Sequence, residues 1–204
     1  MSKNAVLAID TSGTHLQLCL KTNGENHLFS QSMPRGHAEV MFDKIAELLQ
    51  QNYIKYADIC KIGVTVGPGS FTGLRVGIAA ARGLALSLKI PVIGIPNLFA
   101  LSMNQSSGNQ NPFYIIVDAR RDQFYVQQFA HAQSPLTEPL LLEHDEVELL
   151  RSNPKNKIYS DAKIDIMQLC DFTVDADPKI FPPRPTYIRP ADAKPQSKGK
   201  IAKI

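Results

Sequence analysis

The hydrophobic pattern at the start of the chain indicates a meander of three antiparallel strands. Residues 5–10 form a short apolar run, AVLAID, and residues 15–21 alternate apolar and polar side chains with leucines on one face. Asn23 and Gly24 then give a strong two-residue turn signal, which leads into a third strand near residues 27–32. The chain is therefore expected to open with two hairpins.

The pattern changes to a helical period over residues 36–50. Apolar side chains recur there at the spacing of one helix face, and charged side chains occupy the opposite face. The apolar positions are Ala38, Met41, Phe42, Ile45, Leu48 and Leu49. We predict an amphipathic helix with one buried face.

Residues 62–88 carry the most unusual pattern of the chain. A β-branched strand runs into a glycine turn at residues 67–69, and Ser70 is placed to cap the long helix that follows. Only Arg75 and Arg82 carry charge in this helix, so apolar surface extends around most of it. We predict that the helix is buried on more than one side, against a sheet and against either another helix of the chain or another protein.

Small residues recur at every fourth position of the same helix. Gly73, Gly77, Ala81 and Ala85 lie along one side and leave a shallow ridge that a neighbouring helix can approach closely. A glycine inside a helix costs roughly 1 kcal/mol against alanine, so close packing is the expected reason for both glycines. We predict that this helix, with its small-residue ridge, is the main contact surface of the chain.

The second half of the chain repeats the first half in shortened form. A short strand at residues 91–95 and a helix at 97–104 precede a polar stretch at 106–112, which indicates a boundary. Beyond it, residues 113–118 have the character of the first strand and also end on an aspartate. Further strand and helix signals follow at residues 123–129, 140–142, 146–151, 157–160 and 162–169.

A three-strand meander followed by helix, strand, helix and strand, present twice, resembles the duplicated plan of the actin, sugar-kinase and Hsp70 superfamily (ASKHA, RNase H-like). The expected fold class is α/β, with two lobes of which the second is shortened. We place the first lobe at residues 1–105, the second at 106–181 and a proline-rich basic tail at 182–204. A doubly wound α/β domain is the alternative, and the opening hairpins disfavour it.

Composition and charge limit the class of protein further. The chain has 204 residues, 44% hydrophobic and 20% charged, as ordinary globular proteins do. In the tail, six basic residues face only Asp192, and five prolines disfavour a helix, so the tail is either a solvated terminus or a contact for RNA phosphates. No apolar run approaches the roughly 20 residues of a membrane span, and we expect a cytoplasmic protein without a membrane segment.

One turn has the residues of a phosphate-binding hairpin. Asp10, Thr11, Ser12 and Gly13 follow one another where the first strand ends. In the superfamily that they resemble, the hydroxyl residues and backbone N–H groups receive phosphate and the aspartate helps to hold magnesium. The glycine turn before the long helix suggests a second anion cradle, but it lacks the lysine of a P-loop. A structural turn is the alternative in both places, and we interpret the hairpin as a vestigial phosphate loop.

Residues for catalysis or for a metal do not occur in a recognisable arrangement. The sequence contains no evident carboxylate pair, no histidine–cysteine pair and no HExxH motif, and its three cysteines are far apart without a CxxC pair. We therefore predict no catalytic residue, no metal ligand and no cofactor.

Several short motifs together resemble the bacterial TsaB family. They are residues 8–12 (AIDTS), 34–37 (PRGH), 67–77 (GPGSFTGLRVG), 83–85 (GLA), 91–94 (PVIG), 118–120 (DAR) and 187–189 (YIR). The resemblance covers nearly all of the first lobe and weakens after Phe129.

This resemblance implies a non-catalytic subunit of the machinery that makes threonylcarbamoyladenosine beside the anticodon of tRNAs reading codons that begin with A. TsaB-like proteins pair with the paralogous catalytic subunit TsaD, the ATPase TsaE joins them, and tRNA is met through the complex. The two N-terminal helices are expected to form a bundle with the equivalent pair of TsaD, or a homodimer without it. The predicted partner interface consists of Met41, Ile45, Gly73, Arg75, Gly77, Ile78, Ala81 and Arg82.

Two other functions stay open at this point. The hairpin at Asp10 also suits an ATP-binding phosphotransferase or ATPase of the ASKHA superfamily. Peptidase activity occurs in older labels for relatives of the family, but the sequence shows neither a metal triad nor a nucleophile–base pair.

Overall fold

A five-stranded sheet forms the N-terminal part of this computed structural model, which describes residues 4–33, 35–105 and 112–188. Its strands are β1 (Ala5–Asp10), β2 (His15–Thr22), β3 (Glu25–Ser32), β4 (Ile59–Thr65) and β5 (Val92–Ile95). Their order is β3-β2-β1-β4-β5, with antiparallel pairing within β1, β2 and β3 and parallel pairing of β1 with β4 and of β4 with β5. The predicted meander is confirmed.

Both faces of this sheet are covered. Two helices, α1 (His37–Gln51) and α2 (Phe71–Leu88), pack on one face. The other face borders a second core that includes α3 (Asn97–Met103), a helix that lies against the second sheet of the chain. Side chains of β1 alternate between the two sides, with Leu7 and Ile9 in the core beneath α1 and α2, and Val6 and Ala8 in the second core. Burial on both sides explains why β1 is an unbroken apolar run.

The second sheet repeats the order of the first and is shorter. Its strands are β6 (Phe113–Arg120), β7 (Gln123–His131), β8 (Ser134–Pro135), β9 (Leu140–Glu143) and β10 (Lys157–Tyr159). β7 pairs antiparallel with β6 and β9, and β10 pairs parallel with β6, so these four strands take the places of β1, β2, β3 and β4. Within the described residues, no strand takes the place of β5. The duplicated α/β plan with a shortened second part is confirmed.

The last two helices differ in where they pack. α4 (His144–Ser152) lies on the second sheet, whereas α5 (Ile166–Asp175) lies on β1 and β2 of the first. α5 begins later than the predicted start at residue 162, because the Asp165 carboxylate accepts hydrogen bonds from two backbone N–H groups and caps the helix there. The predicted lobe boundaries stay a prediction, since most of the boundary stretch, residues 106–111, lies outside the described residues.

Residues 181–188, here called the strap, continue from α5 back to the first sheet. The Gly94 N–H donates to the Phe181 carbonyl and the Thr186 N–H donates to the Val66 carbonyl, both at 2.8 Å. A Cβ on Gly94 would overlap the strap backbone, so glycine is what lets the strap approach β5. The strap forms no helix, as predicted for the start of the basic tail. The remainder of that tail, residues 189–204, lies outside the described part of the chain.

α2 combines length with apolar composition. Among the described residues it is the one helix that is long and apolar enough to cross a membrane, judged by length and composition only, with a mean hydropathy of 1.2 over 18 residues. Much of that apolar surface, including Leu74, Ile78, Ala81 and Ala85, is buried in the core beneath the helix. Packing on the sheet therefore accounts for much of its composition.

An ion pair joins α5 to the first sheet. Lys21 Nζ lies 2.6 Å from Asp171 Oδ1, and Asn26 Nδ2 donates to the same oxygen at 3.1 Å. The hydrogen bond with Asp171 raises the pKa of Lys21. Partial burial alone would raise the pKa of Asp171, but the hydrogen bonds from Lys21 and Asn26 hold it below its ordinary value. The pair therefore stabilises the fold at neutral pH and loses this effect in acid and in strong base.

We expect Asp171→Asn to lower the melting temperature at neutral pH and to have no effect in acid. A carboxyl whose pKa is depressed by folding contributes stability above its unfolded value of about 3.9, and that contribution disappears as the pH falls through the folded value. Thermal melts from neutral pH down to about pH 3 check this. Glu47→Gln, which breaks a Lys44 pair within α1, is the control and should change little. A difference between variant and wild type that is the same at every pH would contradict the assignment.

Candidate functional site

The carboxylate of Asp10 is buried at the end of β1 and accepts four hydrogen bonds. Its Oδ1 accepts from the Ser12 N–H at 3.0 Å, the Ser12 hydroxyl at 2.6 Å and the Thr65 hydroxyl at 2.7 Å. Its Oδ2 accepts from Gln17 Nε2 at 3.2 Å. Both oxygens that would face a magnesium ion or its water ligands thus have partners inside the chain.

The next residues of the hairpin are engaged in the same way. The Thr11 hydroxyl donates to the Gly73 carbonyl at 2.8 Å, and the Ser12 carbonyl accepts from the Ser70 N–H at 2.8 Å. Thr11 and Ser12 are buried, whereas Gly13 is exposed at the tip. The Thr11 hydroxyl, which could otherwise donate to a phosphate, therefore holds the hairpin against the start of α2, and the Ser12 carbonyl adds a second hydrogen bond there.

The glycine turn before α2 is fixed by a side chain that the sequence did not single out. Asn97, the first residue of α3, accepts a hydrogen bond from the Gly67 N–H through its side-chain oxygen and donates its own N–H to the Gly67 carbonyl, both at 2.8 Å. Gly67 has a φ of 103°, which favours glycine. The Ser70 hydroxyl accepts from the Gly73 N–H at 3.3 Å, so the predicted cap is confirmed. These contacts support the interpretation of the glycine turn as a structural turn rather than an anion-binding loop.

The small-residue ridge of α2 faces the inside of the chain, which corrects the sequence prediction. A Cβ on Gly73 would overlap the Thr11 carbonyl oxygen, and a Cβ on Gly77 would overlap the Thr11 hydroxyl. The residue that approaches the ridge is thus Thr11, which directly follows β1. The spacing of the small residues correctly predicted a close contact on this side of α2. The expected neighbour was a helix, whereas the observed neighbour is Thr11.

The rest of the predicted interface divides into core and surface. The chain's own core buries Met41, Ile45, Gly73, Gly77, Ile78 and Ala81. Arg75 and Arg82 are exposed. A partner that docks on the intact chain meets these two arginines but not the six buried residues. Apolar spacing marks a packed face without showing what packs on it, so the partner interface stays a prediction.

The exposed face of the two helices carries apolar residues that the prediction omitted. Phe42 of α1 is 47% exposed and Leu86 of α2 is 82% exposed. A shallow groove of about 630 Å³ lies beside Leu86, between the end of α2 and the residues that lead into β5. The exposure of Leu86 could have been predicted from helical spacing. Leu86 lies on the same side of α2 as Arg75, Ala79 and Arg82, and not on the side of the glycines.

The start of α2 meets the strap in a cluster of two rings and a guanidinium. Arg75 Cζ lies 3.7 Å from the centre of the Phe71 ring, and the Tyr187 hydroxyl is 3.5 Å from both Nε and Nη2 of Arg75. This cluster could not be predicted from the sequence, because the strap is far along the chain from α2.

The buried thiol of Cys170 is poorly suited to nucleophilic chemistry. Cys170 Sγ lies 3.6 Å from the Val6 carbonyl and 3.7 Å from the Cys19 carbonyl, between α5 and the first sheet. The contact with Cys19, followed by burial, raises the pKa of Cys170 strongly, which disfavours the nucleophilic thiolate. Within the described residues, no three His, Cys, Asp or Glu side chains lie close enough to hold a metal ion.

Comparison with protein families identifies the chain. The family model described as TsaD: tRNA N6-adenosine threonylcarbamoyltransferase matches residues 29–175. The chain belongs to this family. Curated relatives are named tRNA threonylcarbamoyladenosine biosynthesis protein TsaB, and the predicted resemblance to TsaB is confirmed.

The relatives show how far this similarity extends. TsaB from Escherichia coli K12 is 31% identical over 61% of this chain and 54% of its own length, and TsaB from Haemophilus influenzae is 32% identical over 63% and 55%. TsaB from Bacillus subtilis is 34% identical over 59% and 52%. The chain thus spans about half the length of the curated relatives that it matches.

Solved structures confirm the fold. YeaZ from Pseudomonas aeruginosa has a TM-score of 0.73 at 20% identity and covers 90% of this chain and 99% of its own. A P. aeruginosa structure described as an uncharacterized protein with similarity to peptidase YeaZ has the same TM-score at 21% identity, covering 91% and 100%. The second, shortened sheet is thus included in the match.

Two single substitutions in α2 separate packing from helix propensity. We expect Gly77→Ala to lower the free energy of unfolding by roughly 1–3 kcal/mol, because the added methyl group overlaps Thr11 in a packed contact. Gly83→Ala is the matched control, since nothing lies within 4 Å of its Cβ, and it should raise stability by about 1 kcal/mol. Urea unfolding measures both, and equal stabilisation by the two variants would contradict the packing described here.

Proposed function

We propose that this chain is a non-catalytic subunit that acts with TsaD and TsaE to transfer the threonylcarbamoyl group to N6 of the adenosine beside the anticodon, in tRNAs that read codons beginning with A. Family membership and the names of the curated relatives support the pathway. A cytoplasmic location would follow from the tRNA substrate.

The observation that carries the non-catalytic role is the engagement of the hairpin at Asp10. In this superfamily plan, catalysis on a nucleotide needs a carboxylate and N–H groups that are open to phosphate and magnesium. Here the carboxylate accepts four hydrogen bonds from the chain, and the hairpin is bonded to α2. Binding a nucleotide at this hairpin would require these hydrogen bonds to be exchanged, at a cost of about 1 kcal/mol or more for each.

The partner surface that we propose is the exposed face of α1 and α2. Phe42 and Leu86 place apolar side chains there, and the groove beside Leu86 adds a concave element. Charge differs between the two helices, because α1 exposes Glu39, Asp43 and Glu47, whereas α2 has no acidic residue. TsaD is the proposed occupant, and a second copy of this chain is the alternative occupant of the same face.

Leu86→Glu should abolish capture of this chain by immobilised TsaD, because it places a carboxylate in the centre of an apolar contact. Leu149→Glu on α4 is the matched control: this leucine is 74% exposed, against 82% for Leu86, but lies on the second lobe. Threonylcarbamoylation of tRNA by TsaD and TsaE should require the chain, be retained with the control and fall at least tenfold with Leu86→Glu. Activity that is independent of this chain would contradict the proposed function, and equal loss in both variants would contradict the proposed face.

The alternative function, an ATP-using phosphotransferase or ATPase, is favoured by the strand order and by the position of Asp10 at the end of β1. We expect no magnesium-dependent heat when ATP is titrated into the isolated chain, because the Asp10 carboxylate and the Thr11 and Ser12 hydroxyls already have partners. Isothermal titration calorimetry with and without magnesium measures this. Binding that requires magnesium and disappears in Asp10→Asn would instead establish the enzyme function.

A further inference from the structure

A second groove runs along the other side of the exposed face of α2, next to the strap. Its volume is about 450 Å³, and it is lined by Arg75, Ile78, Ala79 and Arg82 of α2 and Pro185 of the strap. The helix rise places the two arginines about 10 Å apart along the axis. We call this feature the cationic groove.

The two elements that line this groove, α2 and the strap, carry charge of one sign. No Asp or Glu occurs between Asp58 and Asp118, a stretch that includes all of α2, and the strap contributes Arg184 without an acidic residue. Within the described residues, no salt bridge joins Arg75, Arg82 or Arg184 to a carboxylate. The guanidinium groups therefore present uncompensated positive charge, which suits a polyanion.

Two aromatic rings stand at one end of the cationic groove. Phe71 is 56% exposed and Tyr187 is 57% exposed, with ring centres 6.2 Å apart. Exposed rings beside a guanidinium provide stacking surfaces for unpaired bases, and base stacking on aromatic side chains is tolerant of sequence. An acidic protein surface would use the arginines but would not need two half-exposed rings.

The sequence beyond the strap strengthens the choice of polyanion. The chain continues from Ile188, next to Tyr187, into residues that include Arg189, Lys194, Lys198, Lys200 and Lys203 but only one acidic residue. Positive charge thus increases along the chain from the groove onward.

We propose that the cationic groove binds RNA, with Arg75 and Arg82 on backbone phosphates and with Phe71 and Tyr187 stacked against an unpaired base. The choice of RNA over other polyanions rests on the proposed function. The groove lies beside the proposed TsaD face, so this subunit would contact tRNA directly rather than only through its partner.

The test measures RNA binding by the isolated full-length chain, using fluorescence anisotropy of a labelled tRNA transcript and of a short single-stranded RNA at several salt concentrations. Arg75→Glu/Arg82→Glu should weaken binding to both at least tenfold and reduce the salt slope of the affinity by about 1.4, as expected for two lost phosphate contacts on a single strand. Tyr187→Ala should weaken binding of the single-stranded RNA at least fivefold without changing that slope.

A control with the same change in charge distinguishes a site from net charge. Lys155→Glu/Lys163→Glu alters two exposed lysines of the second lobe. At a salt concentration that screens long-range charge, it should leave the affinity for RNA within about twofold of the wild-type value. Circular dichroism confirms that every variant is folded. Equal loss in both double variants, or no RNA binding by the wild type at low salt, would overturn the proposal.

Binding to TsaD separates this proposal from the proposed function. Tyr187→Ala, on the strap and outside the proposed α1 and α2 face, should lose affinity for single-stranded RNA while still being captured by immobilised TsaD. If it keeps RNA binding and loses TsaD, the groove is a protein-docking surface and the RNA proposal fails. If the wild type binds RNA but TsaD activity does not depend on the chain, the proposed function fails and the RNA site stands.

Discussion

The close approach of α2 to the end of β1 is the contact on which the rest of the first lobe depends. Gly73 and Gly77 leave room for Thr11, and the Thr11 hydroxyl donates to the Gly73 carbonyl at 2.8 Å. The Ser70 N–H adds a hydrogen bond to Ser12 at the same end. Because a side chain at either glycine would push the helix away, this contact sets the position of α2 and orients its exposed face.

The same contact decides what the hairpin is able to do. The Thr11 hydroxyl donates to α2, and the Ser12 N–H and hydroxyl donate to Asp10, so these donors already have partners where a phosphate would otherwise meet them. The surface that we propose to be functional is instead the exposed side of α2, which combines an apolar part near Leu86 with a cationic part near Arg75.

The two sheets are joined through shared elements rather than by a linker alone. α5 follows the second sheet in sequence but packs on the first, and the strap hydrogen-bonds to Val66 and Gly94. The strap also carries Tyr187 to Phe71 and Arg75, so the C-terminal part of the chain completes a surface of the N-terminal part. This arrangement explains why a shortened second lobe retains a structural role.

Local periodicity and turn chemistry were enough to predict the meander, the positions of α1 and α2, the Ser70 cap, the duplicated strand plan and the small-residue ridge. Three contacts could not be predicted in this way, because they connect residues far apart in the chain: the ridge faces Thr11, Asn97 fixes the glycine turn, and Tyr187 contacts Arg75. Periodicity tells which side of a helix is packed closely, whereas the identity of the neighbour depends on how the whole chain folds back on itself.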